Sequence, residues 1–364
     1  MPTDIHGYDC CPLSHLNYDR RHRLRQSQTS SNRLYGIEVE MDNFDEYEAE
    51  EADSIWNWLQ DELLGVKIAD AYYLPTDDGS IRARSGPSAE LKTVPLTKTE
   101  HTLYHWLFSR KQHKANTVPT TYRHALRSMV GNRRRWFPTG GAWTNRSCGM
   151  HVTVSDRSAS RLTWCKTLYW INHIARYGMH KTLFLREPTN YCNTRSVRLK
   201  RRAMVNGERA WKLYGSDIKA YDSIRRAFSG DSDYDEEELD NMLGYEKYSQ
   251  LRVKPRSLVE FRGFRSSLNP LMLLRNIEVV ESIIDLMEET PLYMLDDTSD
   301  KTYGWFVGEN HHKYPFLRRW FLDVAKASPM RHSFMMGSNG ASVPSGRSFV
   351  DISRSYTRTA ERGA

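Results

Sequence analysis

The sequence predicts an α+β protein: an antiparallel sheet with helices packed on one face. Three short segments alternate apolar and polar residues with a period of two: 34–42 (LYGIEVEMD), 149–155 (GMHVTVS) and 257–264 (SLVEFRGF). Between them, apolar residues recur at helical spacing, as in Ala52, Ile55, Trp56, Leu59 and Leu63. Each strand is polar on one side and apolar on the other. That is the pattern of an antiparallel sheet with one face covered by helices.

The elements follow in chain order. Residues 1–33 are polar and basic and read as a loosely packed extension. The strand 34–42 comes next, then a helix that Gly65 ends. Val66–Leu74 reads as a strand, Asp77-Asp78-Gly79-Ser80 as a turn, and Glu90–Leu96 as a strand stopped by Pro95. A helix is expected over 99–113, and the basic, Gly- and Pro-punctuated stretch 114–147 reads as an insertion. After the strand 149–155, Trp164, Leu168, Ile171 and Ala175 mark a helix over 158–185. The strand 257–264 leads to Asn269-Pro270, a helix start with proline in its first turn, continued by Leu274, Ile277, Val280 and Ile284. The domain map is therefore an extension 1–33, a main domain 34–330 that carries the basic insertion 114–147, and a Ser-, Gly- and Arg-rich tail 331–364.

Composition bounds the class. With 364 residues the chain is long enough for one large core or two smaller ones. It has no apolar run of about 18 residues, the length a membrane helix needs. The first thirty residues hold no apolar block of the secretory kind, which points to the cytoplasm. Five irregularly spaced cysteines do not make a disulfide framework. The net charge is +7 and uneven: 101–155 holds no acidic residue, 195–202 (RSVRLKRR) adds a basic cluster, and 231–240 (DSDYDEEELD) is acidic. Such asymmetry suits a polyanionic partner, whether nucleotide phosphate, nucleic acid or an acidic substrate.

The chemistry lies in which strand residues are charged. Residues i and i+2 of a strand share a face, so Glu38 and Glu40 project together while Ile37 and Val39 face the other layer. Glu90 opens another strand, His151 lies in GMHV, and Glu260 and Arg262 share a face in VEFRGF. Several carboxylates with one imidazole form a hard ligand set suited to Mg2+ or Mn2+. Arginine beside such a set suits a transferring phosphoryl group.

The ordered set LYGIEVEMD, DDGSI, ELKTVPL, SCGMHVTVS and SLVEFRGFRSSLNP resembles the amidoligase family, relatives of glutamine synthetases and glutamate–cysteine ligases. The resemblance covers roughly 34–287 and implies a curved antiparallel sheet of the glutamine-synthetase kind, with helices on its outer face. It implies an ATP-dependent carboxylate–amine ligase that uses two or more Mg2+ ions, a carboxylate substrate and an amine acceptor. Glu38, His151 and Glu260 would hold one metal, and Glu40 and Glu90 another. Asp78 would lie at the rim and take the proton of the incoming amine. Arg262, with Arg265 as a further candidate, would contact ATP phosphates and the phosphorylated intermediate. Lys254 and Arg256 would contact the nucleotide. Many relatives carry a second histidine where this chain has Thr153, which places the difference on the substrate side of the site.

Two other readings stand beside this one, the first a nucleic-acid-binding protein that uses the basic stretches 101–155 and 195–202. Arg133-Arg134-Arg135-Trp136-Phe137 interleaves cations with aromatics, as nucleic-acid-binding surfaces do. The carboxylate set alone also suits a Mg2+-dependent phosphotransferase with another acceptor.

Overall fold

The computed structural model describes residues 18–43, 49–65, 67–69, 71–76, 80–82, 88–109, 144–145, 147–176, 183–186, 212, 250–254, 258–297 and 300–327. Their helices are α1 (Tyr18–Ser27), α2 (Ala49–Trp58), α3 (Lys98–Ser109), α4 (Arg161–Arg176), α5 (Pro270–Glu289), α6 (Asp300–Glu309) and α7 (Pro315–Ala327). The strands are β1 (Arg33–Asp42), β2 (Tyr73–Thr76), β3 (Ser88–Thr93), β4 (Gly149–Asp156), β5 (Leu251–Lys254) and β6 (Leu258–Arg265). The architecture is α+β, with the six strands in one open antiparallel sheet. The chain divides into two compact units, Met1–Arg157 with Phe264–Ile277, and Ser158–Gly263 with Glu278–Ala364.

The first unit is built around β1. Its strands run in the order β2-β3-β1-β4. Glu38 lies opposite Lys92 on one side and His151 on the other, and Glu40 lies opposite Glu90. Alternation puts Tyr35, Ile37, Val39, Met41, Met150, Val152 and Val154 on one face, all buried. Asn276 of α5 reaches that face, its Nδ2 lying 3.1 Å from Met150 Sδ. The opposite face carries Glu38, Glu40, Asp42, Glu90, His151, Thr153 and Ser155, and these are buried as well.

Helix α1 accounts for part of that burial. His22 Nδ1 lies 3.1 Å from Ser155 Oγ, and the Ser155 hydroxyl donates to Gln26 Oε1 at 2.9 Å. Arg25 Nη2 pairs with Glu100 Oε1 at 2.5 Å. Arg21, His22, Arg25 and Gln26 of α1 are buried, within a stretch that the composition reads as a loose extension. Residues 1–17 and the tail 328–364 lie outside the described residues.

Residues 67–69, 71 and 72 are not in a strand, contrary to the expectation for 66–74, and β2 begins at Tyr73. The cause is Gln60, whose Oε1 accepts from the amides of Ile68 and Ala69 at 2.5 and 2.9 Å. Its Nε2 and the Trp56 indole both donate to the Ala69 carbonyl, at 2.9 and 2.7 Å. Backbone groups that a ladder would use are satisfied by side chains instead. The helix holding Gln60 widens to a π-helix over Leu59–Leu64 and stops at Gly65, whose φ of 60° suits a residue without Cβ.

Helix α3 starts with a capping box: Thr97 Oγ1 accepts from Glu100 N at 3.2 Å, and Glu100 Oε2 accepts from Thr97 N at 2.8 Å. It brings Tyr104 to stack on Tyr72, ring centroids 3.5 Å apart, with Trp56 edge-on.

The second unit packs α4, α6, α7 and the later turns of α5 around Trp164, Trp170, Ile283, Ile284, Tyr303 and Leu317. Ser160 caps α4 by accepting from Thr163 N at 3.1 Å. Two buried polar contacts tie its helices: Ser282 Oγ with the Tyr303 hydroxyl at 2.8 Å, and Leu317 N donating to Glu278 Oε2 at 2.8 Å. This unit also holds the β5–β6 hairpin up to Gly263, with Arg252 opposite Glu260.

Candidate metal centre

The polar face of the first unit gathers four expected ligands. Glu38 and Glu40 come from β1, Glu90 from β3 and His151 from β4, and each is 6 or 7% exposed. A solvated E-x-E face is therefore excluded. His151 Nδ1 lies 3.1 Å from Glu38 Oε2 and 3.8 Å from Glu90 Oε1, and its Nε2 lies 3.7 Å from Glu40 Oε1. Glu40, Glu90 and His151 each offer a ligand atom, and these atoms lie within 4.8 Å of one another. His151, expected with Glu38, thus also joins the Glu40 and Glu90 group.

The electrostatics set this cluster apart from an ordinary ion-pair network. Glu40 and Glu90 are directly opposite on neighbouring strands, an arrangement that is destabilising for like charges. Glu90 Oε2 pairs with Lys92 Nζ at 2.8 Å. Burial and the Glu38 charge push the Glu90 carboxyl up to about 8. Burial also opposes ionisation of Glu38, but Lys92 and His151 outweigh it and hold that carboxyl well below the usual carboxylate range. One lysine and one imidazole face three buried carboxylates. Burying charge without a partner is costly, so a divalent cation is the natural complement of this donor set.

The positions of the donors are fixed by backbone contacts. The Gly149 amide donates to Glu40 Oε2, and the Ser266 hydroxyl donates to the Glu40 carbonyl at 2.7 Å. Thr153 is fully buried on the same face as His151, and its hydroxyl has no hydrogen-bond partner.

The remaining expected residues are distributed as follows. Glu260 and Arg262 lie on β6 in the second unit, where Arg262 Nη1 donates to Glu260 Oε1 at 3.2 Å. Arg265 ends β6 and is exposed. Lys254 ends β5. Asp78, Arg256, the basic stretches 110–143 and 195–202, the acidic run 231–240 and Cys10, Cys11 and Cys192 lie outside the described residues. Cys148 and Cys165 are buried and stand outside any disulfide. No described helix is long and apolar enough to cross a membrane.

Two features escape a reading built on carboxylates alone. Lys92 shares its strand face with Glu90 in E-L-K, a signal that the i, i+2 rule exposes. Gln250 and Arg252 stand at the start of β5, after a stretch whose sequence shows no clear period.

Compared with models of known protein families, the chain matches none. Compared with curated proteins, it likewise finds no match.

Proposed function

We propose that this chain is an ATP- and magnesium-dependent carboxylate–amine ligase. The observation that carries the reading is the buried cluster Glu38, Glu40, Glu90 and His151, with Glu40 facing Glu90 across two strands. These side chains fit a hard divalent cation, and Glu40, Glu90 and His151 would hold it. When bound, Mg2+ neutralises charge on phosphate oxygens. The amide-forming half of the reading rests on the ordered resemblance to amidoligases.

The reaction has two steps. A substrate carboxylate oxygen attacks the γ-phosphorus of ATP, and the bond to the bridging oxygen breaks, giving an acyl phosphate and ADP. An amine then attacks the acyl carbon, and inorganic phosphate leaves as the amide forms. Arg262 supplies positive charge for the phosphorylated group, and Asp78 takes the amine proton. No enzyme nucleophile is needed, so the burial of both described cysteines is consistent with the scheme.

Glu40→Ala should abolish ATP turnover while leaving the circular dichroism spectrum unchanged. Full activity in that variant would remove the metal-site assignment. With a carboxylate and amine library, ADP and phosphate should accumulate with an amide product. AMP and pyrophosphate would reject the acyl-phosphate route, and phosphate transfer to an acceptor without an amine would favour the phosphotransferase reading.

A further inference from the structure

Glu40 is held by the turn that leads into β4. Its Oε2 accepts from the Gly149 amide, while Oε1 lies 3.7 Å from His151 Nε2. Oε1 is therefore the oxygen left to a cation. Bringing both oxygens onto one ion would break the hydrogen bond to Gly149.

A single side chain, Asn145, fixes the turn that presents this amide. The Cys148 amide donates to the Asn145 carbonyl at 3.2 Å and closes the turn. Asn145 Nδ2 donates to Asp42 Oδ2 and to the Arg82 carbonyl, each at 3.1 Å. Asn145 Oδ1 accepts from the Ser147 amide at 2.8 Å and from the Ser147 hydroxyl at 2.6 Å. A side-chain amide has two donor hydrogens and two acceptor lone pairs, so Asn145 uses its full capacity. The Arg82 amide donates in turn to Ser147 Oγ at 3.1 Å.

These bonds tie the end of β1 and the segment at Arg82 to the turn. They act beyond the last β1–β4 pair, Val39 with Met150, where the ladder no longer sets the path of the chain. Ser266 adds a weaker hold, its amide donating to the Cys148 carbonyl at 3.4 Å.

The consequence is a matter of ion size. Ca2+ takes about six to eight oxygens and readily both oxygens of one carboxylate, whereas Mg2+ demands a compact octahedron. A glutamate restricted to one oxygen withholds a ligand from Ca2+ and withholds none from Mg2+. The donor types alone do not separate the two ions, since both take oxygen ligands.

We propose that Asn145 is a positioning residue that makes the cluster disfavour Ca2+ relative to Mg2+, by holding the turn whose Gly149 amide keeps Glu40 to one oxygen. This rests on the cluster being a cation site, and its test reads binding rather than ligase activity. Mn2+ bound to the full, metal-free chain is followed by electron paramagnetic resonance, with Mg2+ and Ca2+ titrated as competitors.

Asn145→Ala should shift the ratio of Mg2+ to Ca2+ affinity toward Ca2+ by about tenfold. A merely structural role would weaken both ions alike, so an unchanged ratio overturns the proposal while leaving the cation site standing. A native chain that binds no Mn2+ removes the cation site and the proposal together. Should Asn145→Ala fail to fold, Asn145→Asp keeps the shape, removes both Nδ2 donors and sets a charge against Asp42. An unchanged ratio in that variant overturns the proposal equally.

Discussion

Glu90 is where the competing forces at the cluster are most visible. It is buried, faces Glu40 across the ladder, and is drawn in opposite directions by Glu38 and Lys92. Its carboxyl titrates near 8 in the metal-free fold, against about 4.3 in an open chain. The native state therefore keeps a proton that the unfolded chain releases, and stability falls as pH rises between those values. A divalent cation must displace that proton, so its affinity should rise roughly tenfold per pH unit between pH 6 and pH 8. Calorimetric Mn2+ titrations across that range check this, and Glu90→Gln should flatten the dependence. The residues of this cluster were legible in sequence because period two puts Glu38 with Glu40 on one face. Their burial was not legible: a polar strand face reads the same whether water or another helix lies over it.

Helix α3 carries the next prediction. His101 Nε2 donates to the Tyr35 carbonyl at 2.8 Å, so its Nδ1 accepts from the Tyr72 hydroxyl at 2.6 Å. With that proton committed, His105 Nε2 donates to the same phenol oxygen at 3.1 Å. Both rings are held neutral. Burial pushes His101 down to about 4, and burial together with His101 pushes His105 well below its usual value. The unfolded chain binds protons that the fold refuses, so stability is complete above about pH 6.5 and is lost as pH falls toward 4. His101 alone accounts for about 3 kcal/mol of that loss. Urea unfolding at pH 7 and pH 4.5 measures it, and His101→Gln should reduce the difference. Element boundaries were readable where local chemistry sets them, as at Gly65. They were not readable at Ile68 and Ala69, where Gln60 captures backbone groups from a different element. The sequence reading places no helix over 300–327, although Tyr303, Phe306 and Val307 stand at helical spacing, followed by Phe316, Leu317, Trp320 and Phe321.

At the scale of the whole molecule, segments far apart in sequence hold the first unit together. Arg25 of α1 and Glu100 of α3 form a pair whose side chains are 6 and 12% exposed. Arg25→Met should cost about 3 kcal/mol in urea unfolding, because it leaves a largely buried carboxylate without its cation. A loose N-terminal extension would make the substitution silent. Composition alone favours that second outcome, since a stretch of arginines and serines looks solvated until its burial is known.

The Glu38–His151 contact spans 113 residues of chain. Neither residue has its partner until β1 and β4 have paired, and that pairing closes a long loop before it yields any contact energy. The chain cannot use a cation as a template for early collapse, because the cage does not exist in the ensemble that collapses. A cation captured afterwards stabilises the native state but not the folding barrier. Metal should therefore lengthen the lifetime of the folded protein while leaving its rate of formation nearly unchanged.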